Sequence, residues 1–292
     1  MFACREFLYG SADCFVARHI VWRSRTRGLP WRFIWNTVRR VNHFLRRHPF
    51  PVQAFFERVV AVSFAFPKGI VRSLVPEGLE IDGYGGFGFV TVALVWTRRL
   101  RPAGLPTFLG QDFFLAGYRV FTRLRDNSGR RLRGLKILRS ETDKRRMVWM
   151  GNLLTCYNYR QVKVNVQTDG STTTVENSLA DGSRTLRLRF DASGETTELP
   201  KGSPFPDWHT ARQFAGPMPF TFSPEKDGTF VVIDGSRNEW LPRPIRIEEW
   251  DVSLFEESPL RDAEPILANA FIVENISYRW EKGRIVKPGT GS

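Results

Sequence analysis

Between residues 57 and 280 the chain returns again and again to short β-branched and aromatic runs of period two, and this pattern constrains the fold more than any other feature. Candidate strands lie at 57–65, 87–96, 117–125, 133–140, 146–151, 158–167, 171–177, 184–190, 229–233 and 271–280. Turn signals separate several of them: Asp126-Asn127-Ser128-Gly129, Asp169-Gly170, Asp181-Gly182 and Asp227-Gly228. Short strands joined in sequence by tight turns predict a mainly β protein with a largely antiparallel sandwich or barrel. Short helices are expected at 68–75, ended by Pro76, and around 207–214. With 24 Phe and 9 Trp in 292 residues, the chain has the apolar bulk for a sizeable core.

The net charge of +13 belongs to two segments. Residues 1–50 hold ten Arg against Glu6 and Asp13, and residues 119–146 hold eleven basic groups against three acidic ones. The remaining chain is slightly acidic, so basicity is not a property of the whole fold. Within the first segment, Trp31, Ile34, Trp35, Val38, Val41 and Leu45 form one helical stripe, opposite Arg32, Arg39, Arg40, Arg46 and Arg47. His48-Pro49 ends this predicted amphipathic helix, because the residue before proline avoids the helical region. Two readings remain open for it. It packs its apolar stripe on the body of the protein, or it lies on an anionic membrane surface through Trp31, Trp35, Arg39 and Arg40. The expected organisation is a basic helical extension at 1–48, a β domain at 49–285 and a flexible tail at 286–292.

Several function classes are disfavoured. No apolar run reaches the roughly 18 to 20 residues of a membrane span. The start lacks a secretory pattern, so a cytoplasmic location is expected, with peripheral membrane attachment as the variant the helix allows. Cys4, Cys14 and Cys156 are odd in number and form no CxxC. The four His show no metal-ligand spacing, and neither a metal nor another cofactor is implied. Gly83-Tyr84-Gly85-Gly86-Phe87-Gly88 matches GxGxxG, but a β-branched run follows it where a dinucleotide site needs a helix, so a glycine turn into a strand is expected. The arginines of 119–146 suit phosphate contacts, yet no recognition motif accompanies them, which argues against a nucleic-acid partner and leaves a basic nucleic-acid-binding protein as the second alternative function. An oligomer is compatible with the pattern.

Leu74-Val75-Pro76-Glu77-Gly78-Leu79-Glu80-Ile81-Asp82 resembles an element found early in acetoacetate decarboxylases. Ile266 to Tyr278 is similar to the closing strand region of the same family. Between them, Asp112 to Val166 looks more like the YqjF-like branch, a domain of unknown function, with Arg119 at the start of a strand and Met150 to Tyr159 at a shared stretch. The resemblance covers about residues 50 to 281. It implies a closed, cone-shaped β-barrel around a small-molecule pocket that takes a small or partly apolar organic acid or ketone. In the decarboxylases a pocket lysine of low pKa forms a Schiff base with a β-keto acid. The matching residues here are Tyr157-Asn158-Tyr159-Arg160, and arginine cannot form the imine.

The departure from the family motif implies a related fold with different chemistry, either a lyase or isomerase without the family lysine, or a non-catalytic carrier of hydrophobic ligands. The candidate catalytic residues are Tyr159, Lys163 and Lys136. Alternation places Gln161, Lys163 and Asn165 on one strand face, which carries Lys163 into the pocket if that face lines it. Lys136 sits between Leu135 and Ile137, near Arg133 and Arg139, which would depress its pKa if all were buried together. Arg119, Arg160 and Tyr157 are the candidate substrate-binding residues. Arg119 interrupts an otherwise apolar strand, and a guanidinium buried in a barrel holds a carboxylate, either of a substrate or of the protein.

Overall fold

The computed structural model describes residues 43–194, 198–216 and 218–289. The predicted helix over 31–47 and its candidate membrane contacts Trp31, Trp35, Arg39 and Arg40 lie almost wholly outside them. Only its end is described: residues 43–45 are helical, and the chain then turns at His48, which has a positive φ of 54°. Arg47 donates twice to the Glu225 carboxylate, at 3.2 and 3.1 Å, and His43 contacts the same carboxylate. No helix among the described residues is long and apolar enough to cross a membrane.

The body is mainly β. Four long strands, β1 (Val52–Pro67), β3 (Phe87–Pro102), β4 (Gln111–Arg125) and β14 (Ile266–Trp280), form the centre of an eleven-stranded sheet. From β14 the sheet runs through β1, β3, β4 and β5 (Arg131–Thr142) to β10 (Phe220–Pro224) and β11 (Phe230–Arg237), and β11 also pairs with β14 over Gly235, Ser236 and Arg237. β2 (Leu79–Ile81), β6 (Tyr159–Gln161), β12 (Arg243–Pro244) and β15 (Arg284–Val286) are short additions. Because β15 pairs with β11 and Pro288 bridges Asp126, the expected flexible tail is tied to the sheet as far as the described residues go. A second, four-stranded sheet has the order β13 (Arg246–Val252), β9 (Arg184–Asp191), β8 (Thr172–Ser178), β7 (Lys163–Asp169).

Each long strand serves two environments at alternate positions. Val60, Val62, Phe64, Val92, Leu94, Ala116, Tyr118 and Val120 pack in one core with Val175, Leu186, Leu188 and Phe190 of the smaller sheet. Phe64 meets Trp250 of β13 edge-on at 5.0 Å, which places the smaller sheet against this face. Full burial of each such side chain contributes about 1.5–3 kcal/mol. The other face carries Ala61, Ser63, Thr91, Ala93, Gly117 and Arg119 and lines a cavity.

Beyond residue 50 the described residues form three α-helices: α1 (Lys68–Arg72), α2 (Arg145–Leu154) and α3 (Trp208–Phe214). Residues 146–151, expected as a strand, belong to α2. Met147 and Gly151 are buried four positions apart, and Met150 and Leu154 join them on the cavity wall, so the spacing is helical once Leu153-Leu154 is included. The GxGxxG run is a turn: Gly85 and Gly86 have φ of 57° and 86°, and Tyr84 bridges to Phe87 as β3 begins.

Between the two sheets, Glu141 is fully buried. Its carboxylate takes Arg160 through Nε at 2.9 Å and through a second guanidinium nitrogen, Asn177 at 3.0 Å and Thr185 at 2.9 Å. Arg160, a candidate substrate-binding residue, is therefore committed to a structural ion pair away from the cavity. Removing one partner of such a pair strands the other charge. Arg160→Met is expected to lower stability by about 2–4 kcal/mol, read as a lower urea midpoint at unchanged slope; a change below about 0.5 kcal/mol would show that Glu141 does not depend on it.

Candidate functional site

The cavity has a volume of about 230 Å³ and is mostly apolar, lined by residues of β1, β3, β4, β5, β11, β14 and α2. It is smaller than the roughly 300–1,000 Å³ of drug-sized pockets, so its ligand is small. Cross-strand pairing organises the wall in rungs. One runs Asn269, Ser63, Thr91, Arg119, Ile137, and the next runs Phe271, Ala61, Ala93, Gly117, Ser140, Tyr159. The second rung is small at its centre, and the guanidinium of Arg119 leans over it. A Cβ at Gly117 would lie 3.0 Å from Arg119 Nε and 3.1 Å from its terminal nitrogen. Beyond Arg119, stacked Phe89 and Phe205 (5.3 Å), with Phe121 and Phe214, close the end of the space.

A register shift between β4 and β5 keeps these groups aligned. Tyr118 faces Arg139 whereas Arg119 faces Ile137, leaving Leu138 as the extra residue. Such a bulge lets β5 present Leu135 and Ile137 to the cavity while Arg139 stays over the Tyr118 ring on the other face.

Three tyrosines surround the guanidinium. Tyr159 is held by Asn152 of α2, whose side chain donates to the Tyr159 carbonyl and accepts from its N–H, each at 2.8 Å. Its ring occupies the place a side chain at Gly151 would take, and the Tyr278 ring likewise occupies the place of a side chain at Gly235. Tyr157 lies 6.4 Å from Tyr159 between ring centroids, and its buried hydroxyl faces Thr221 without closing a full hydrogen bond. Burial pushes the phenols of Tyr157 and Tyr278 up from their ordinary value and that of Tyr159 to about 12, although Arg119 pulls the last two back. All three are neutral donors at physiological pH.

Arg119 is the anomaly of the site. Its Nε is buried without a hydrogen-bond partner, and no carboxylate among the described residues pairs with it. Burial lowers its pKa, the tyrosines work in the opposite direction, and Arg237 adds to the lowering. An arginine nevertheless keeps its proton at neutral pH. Arg237 stacks over Trp240 at 4.7 Å on the same wall. The cavity thus presents a permanent cation, neutral O–H donors and apolar walls, with no acidic side chain among its lining residues.

Of the residues singled out from sequence, Arg119, Tyr157 and Tyr159 come together in the cavity. The two lysines do not. Lys163 is exposed on β7, because that strand belongs to the smaller sheet, so the polar face of the alternation meets solvent. Lys136 points to the face opposite Leu135 and Ile137 and donates to the Ile137 carbonyl at 2.9 Å. Burial lowers its pKa, but Arg133 and Arg139 do not share its site: they pair with Asp82 and Glu257. No lysine lines the cavity, and no cluster that could hold a metal occurs among the described residues.

Sequence reasoning missed Ser63, Thr91, His48, Arg237 and Tyr278. Ser63 and Thr91, 2.9 Å apart, carry the same signal that marked Arg119, a lone polar residue in an apolar strand. His48 lines the cavity from the end of the basic segment. Its Nδ1 lies 3.0 Å from the Glu281 carbonyl, which can only accept, so Nδ1 carries the proton; burial lowers its pKa against the effect of that bond.

A profile of the domain of unknown function 2071, described as an uncharacterized conserved protein, matches residues 53–273. No curated protein matches the chain in sequence. Solved structures of similar fold include an acetoacetate decarboxylase from Legionella pneumophila, with TM-score 0.55 and 10% identity over 82% of this chain and 88% of that one. An acetoacetate decarboxylase-like enzyme from Sphingomonas wittichii has TM-score 0.52 and 12% identity over 83% and 94%. The enduracididine biosynthesis enzyme MppR, complexed with the condensation product of pyruvate and imidazole 4-carboxaldehyde, has TM-score 0.53 and 13% identity over 81% and 89%.

A buried cation without a partner costs stability, and an apolar replacement removes that cost. Arg119→Met is expected to stabilise the ligand-free protein by about 1–3 kcal/mol in urea unfolding. Destabilisation of similar size would mean that the protein itself compensates the charge.

Proposed function

The chain belongs to the domain of unknown function 2071 family, within the acetoacetate decarboxylase-like superfamily, and from that premise we propose that it binds a small organic acid with an apolar tail in a closed barrel. The additional pairing of β11 with β14 supports the closed form, since it joins the two ends of the strand path. The observation that carries the reading is Arg119 on the wall of an apolar cavity, its buried Nε unpartnered and no acidic side chain among the lining residues. The ligand carboxylate pairs with Arg119 and accepts from the hydroxyls of Tyr157, Tyr159 and Tyr278, while the tail lies along Val59, Val95 and Leu115 towards the mouth. An MppR structure holds pyruvate, a small 2-oxo acid, which supports a carboxylate as ligand of this fold.

Catalysis on that ligand proceeds by electrostatic stabilisation: a guanidinium and neutral phenols lower the energy of negative charge that develops on a carbonyl oxygen in a lyase or isomerase reaction. An imine is not part of the reading, because no lysine lines the cavity. Borohydride with pyruvate is accordingly expected to leave the protein mass unchanged, and a lysine adduct in the digest would overturn this point.

Calorimetry with octanoate and octanol tests the reading. The acid is expected to bind at least about tenfold more tightly than the alcohol, and Arg119→Met to erase that preference, since a hydrogen bond to a charged group contributes about 1.5–3 kcal/mol. Affinity is expected to stay flat from about pH 6 to about pH 9, because the arginine and the raised tyrosines keep their protons throughout. Equal binding of acid and alcohol by the native protein would refute the proposal.

A further inference from the structure

The mouth of the cavity is bordered by a surface that ligand binding does not use. Residues 103–110, the loop between β3 and β4, expose Leu105, Phe108 and Leu109, with Phe108 82% accessible. On α2, Trp149 is 68% accessible while its neighbour Met150 lines the cavity. Two contacts make these one surface. Ala103 N–H donates to the Pro51 carbonyl at 2.9 Å, next to Phe50 on the cavity wall, and Gln111 at the far end of the loop reaches Met150 Sδ at 2.9 Å. Large apolar side chains gathered at an opening mark an interaction site.

The charges around this patch point to an anionic partner. Arg99, Arg101, Arg145 and Arg146 pair with no carboxylate among the described residues, whereas the arginines of the smaller sheet, Arg184, Arg187 and Arg189, pair with Asp251, Glu176 and Glu248. Arg145 and Arg146 occupy the first turn of α2, where cations oppose the helix dipole and no acidic residue stands in the same turn; Asp143, just before it, pairs with Lys144. A second concavity, of about 440 Å³, opens beside the same loop and is lined by Arg99, Arg101, Thr107, Arg237 and Arg279. Arg101 donates to the Leu105 and Arg99 carbonyls, each at 2.9 Å, which fixes it to the loop with its charge uncompensated. Aromatic and aliphatic tips flanked by arginines without carboxylate partners match the boundary of a bilayer, whose hydrocarbon accepts the tips and whose phosphates accept the guanidinium groups.

We propose that the cavity mouth docks on an anionic membrane surface, with the 103–110 loop and Trp149 entering the headgroup boundary and the four rim arginines facing lipid phosphates. The docking rests on the rim and not on the ligand reading. It does bring the cavity opening to the phase in which an acid with an apolar tail concentrates.

Flotation of the full chain with phosphatidylcholine vesicles containing about 30% phosphatidylglycerol tests the docking. Binding is expected to be at least about tenfold stronger than to phosphatidylcholine alone and to weaken as salt rises. Phe108→Asp with Leu109→Asp, and separately Arg145→Glu with Arg146→Glu, are each expected to reduce it about tenfold or more while urea midpoint and octanoate affinity stay unchanged. Residues 1–42 remain in every variant, so vesicle binding that ignores both pairs overturns the proposal and assigns attachment to that segment. A change of mass in light scattering, without a change in vesicle binding, also overturns it, in favour of a contact between copies of the chain. Vesicle binding by a protein that takes up no octanoate leaves the docking in place and removes only the ligand reading.

Discussion

The site depends on three small residues, Ala61, Ala93 and Gly117, set side by side in one rung of the large sheet. A strand offers alternate side chains to its two faces, so the strands that bury Val60, Val62, Val92, Leu94 and Tyr118 against the smaller sheet also supply the cavity wall. The two faces are filled differently. One is packed with branched and aromatic side chains and holds the sheets together, and the other is left small at its centre. Gly117 takes this furthest, because any side chain there would meet the Arg119 guanidinium.

Buried charge is treated in two ways in this protein. Glu141 is met by Arg160, Asn177 and Thr185, and Asp82 by Arg123 and Arg133, so these carboxylates are compensated where they lie. Arg119 has no such partner, and its Nε is buried without a hydrogen bond. Thr91 and Ile137 stand opposite it on the neighbouring strands. In the proposed reading a ligand carboxylate is the anion that the lining residues lack. At 10% identity the likeness to the decarboxylase establishes architecture alone, and no lysine stands among the described residues that line the cavity.

Much of the β framework was legible because period-two alternation and Asp-Gly turns act locally. The runs at 184–190 and 271–280 lie within the observed strands β9 and β14, and 171–177 enters β8 from Thr172. Where local pattern is ambiguous, the reading failed. The run 146–151 is short and apolar, and its helical spacing becomes visible only with Leu154, four residues beyond Met150. Arg119 was legible as a cation within an apolar strand, and Tyr157 and Tyr159 followed from the family resemblance. Tyr278 and Arg237 were not, since they stand near strand ends and meet the site only where β11 pairs with β14.

The amino-acid sequence alone determined the strand character of the chain, its antiparallel connections, the positions of its polar interruptions and the lack of a lysine at the family's motif, because each of these rests on neighbours in the chain. Only the tertiary structure decided which face of each strand turns inward. Lys163 shows the difference: alternation grouped it correctly with Gln161 and Asn165, but β7 joins the smaller sheet and its polar face meets water. Arg160 shows it again, one residue from Tyr159 and therefore on the opposite face, paired with Glu141. Sidedness is a global property. It is set by what covers each face of a sheet, and for this chain the covering elements arrive from distant parts of the sequence.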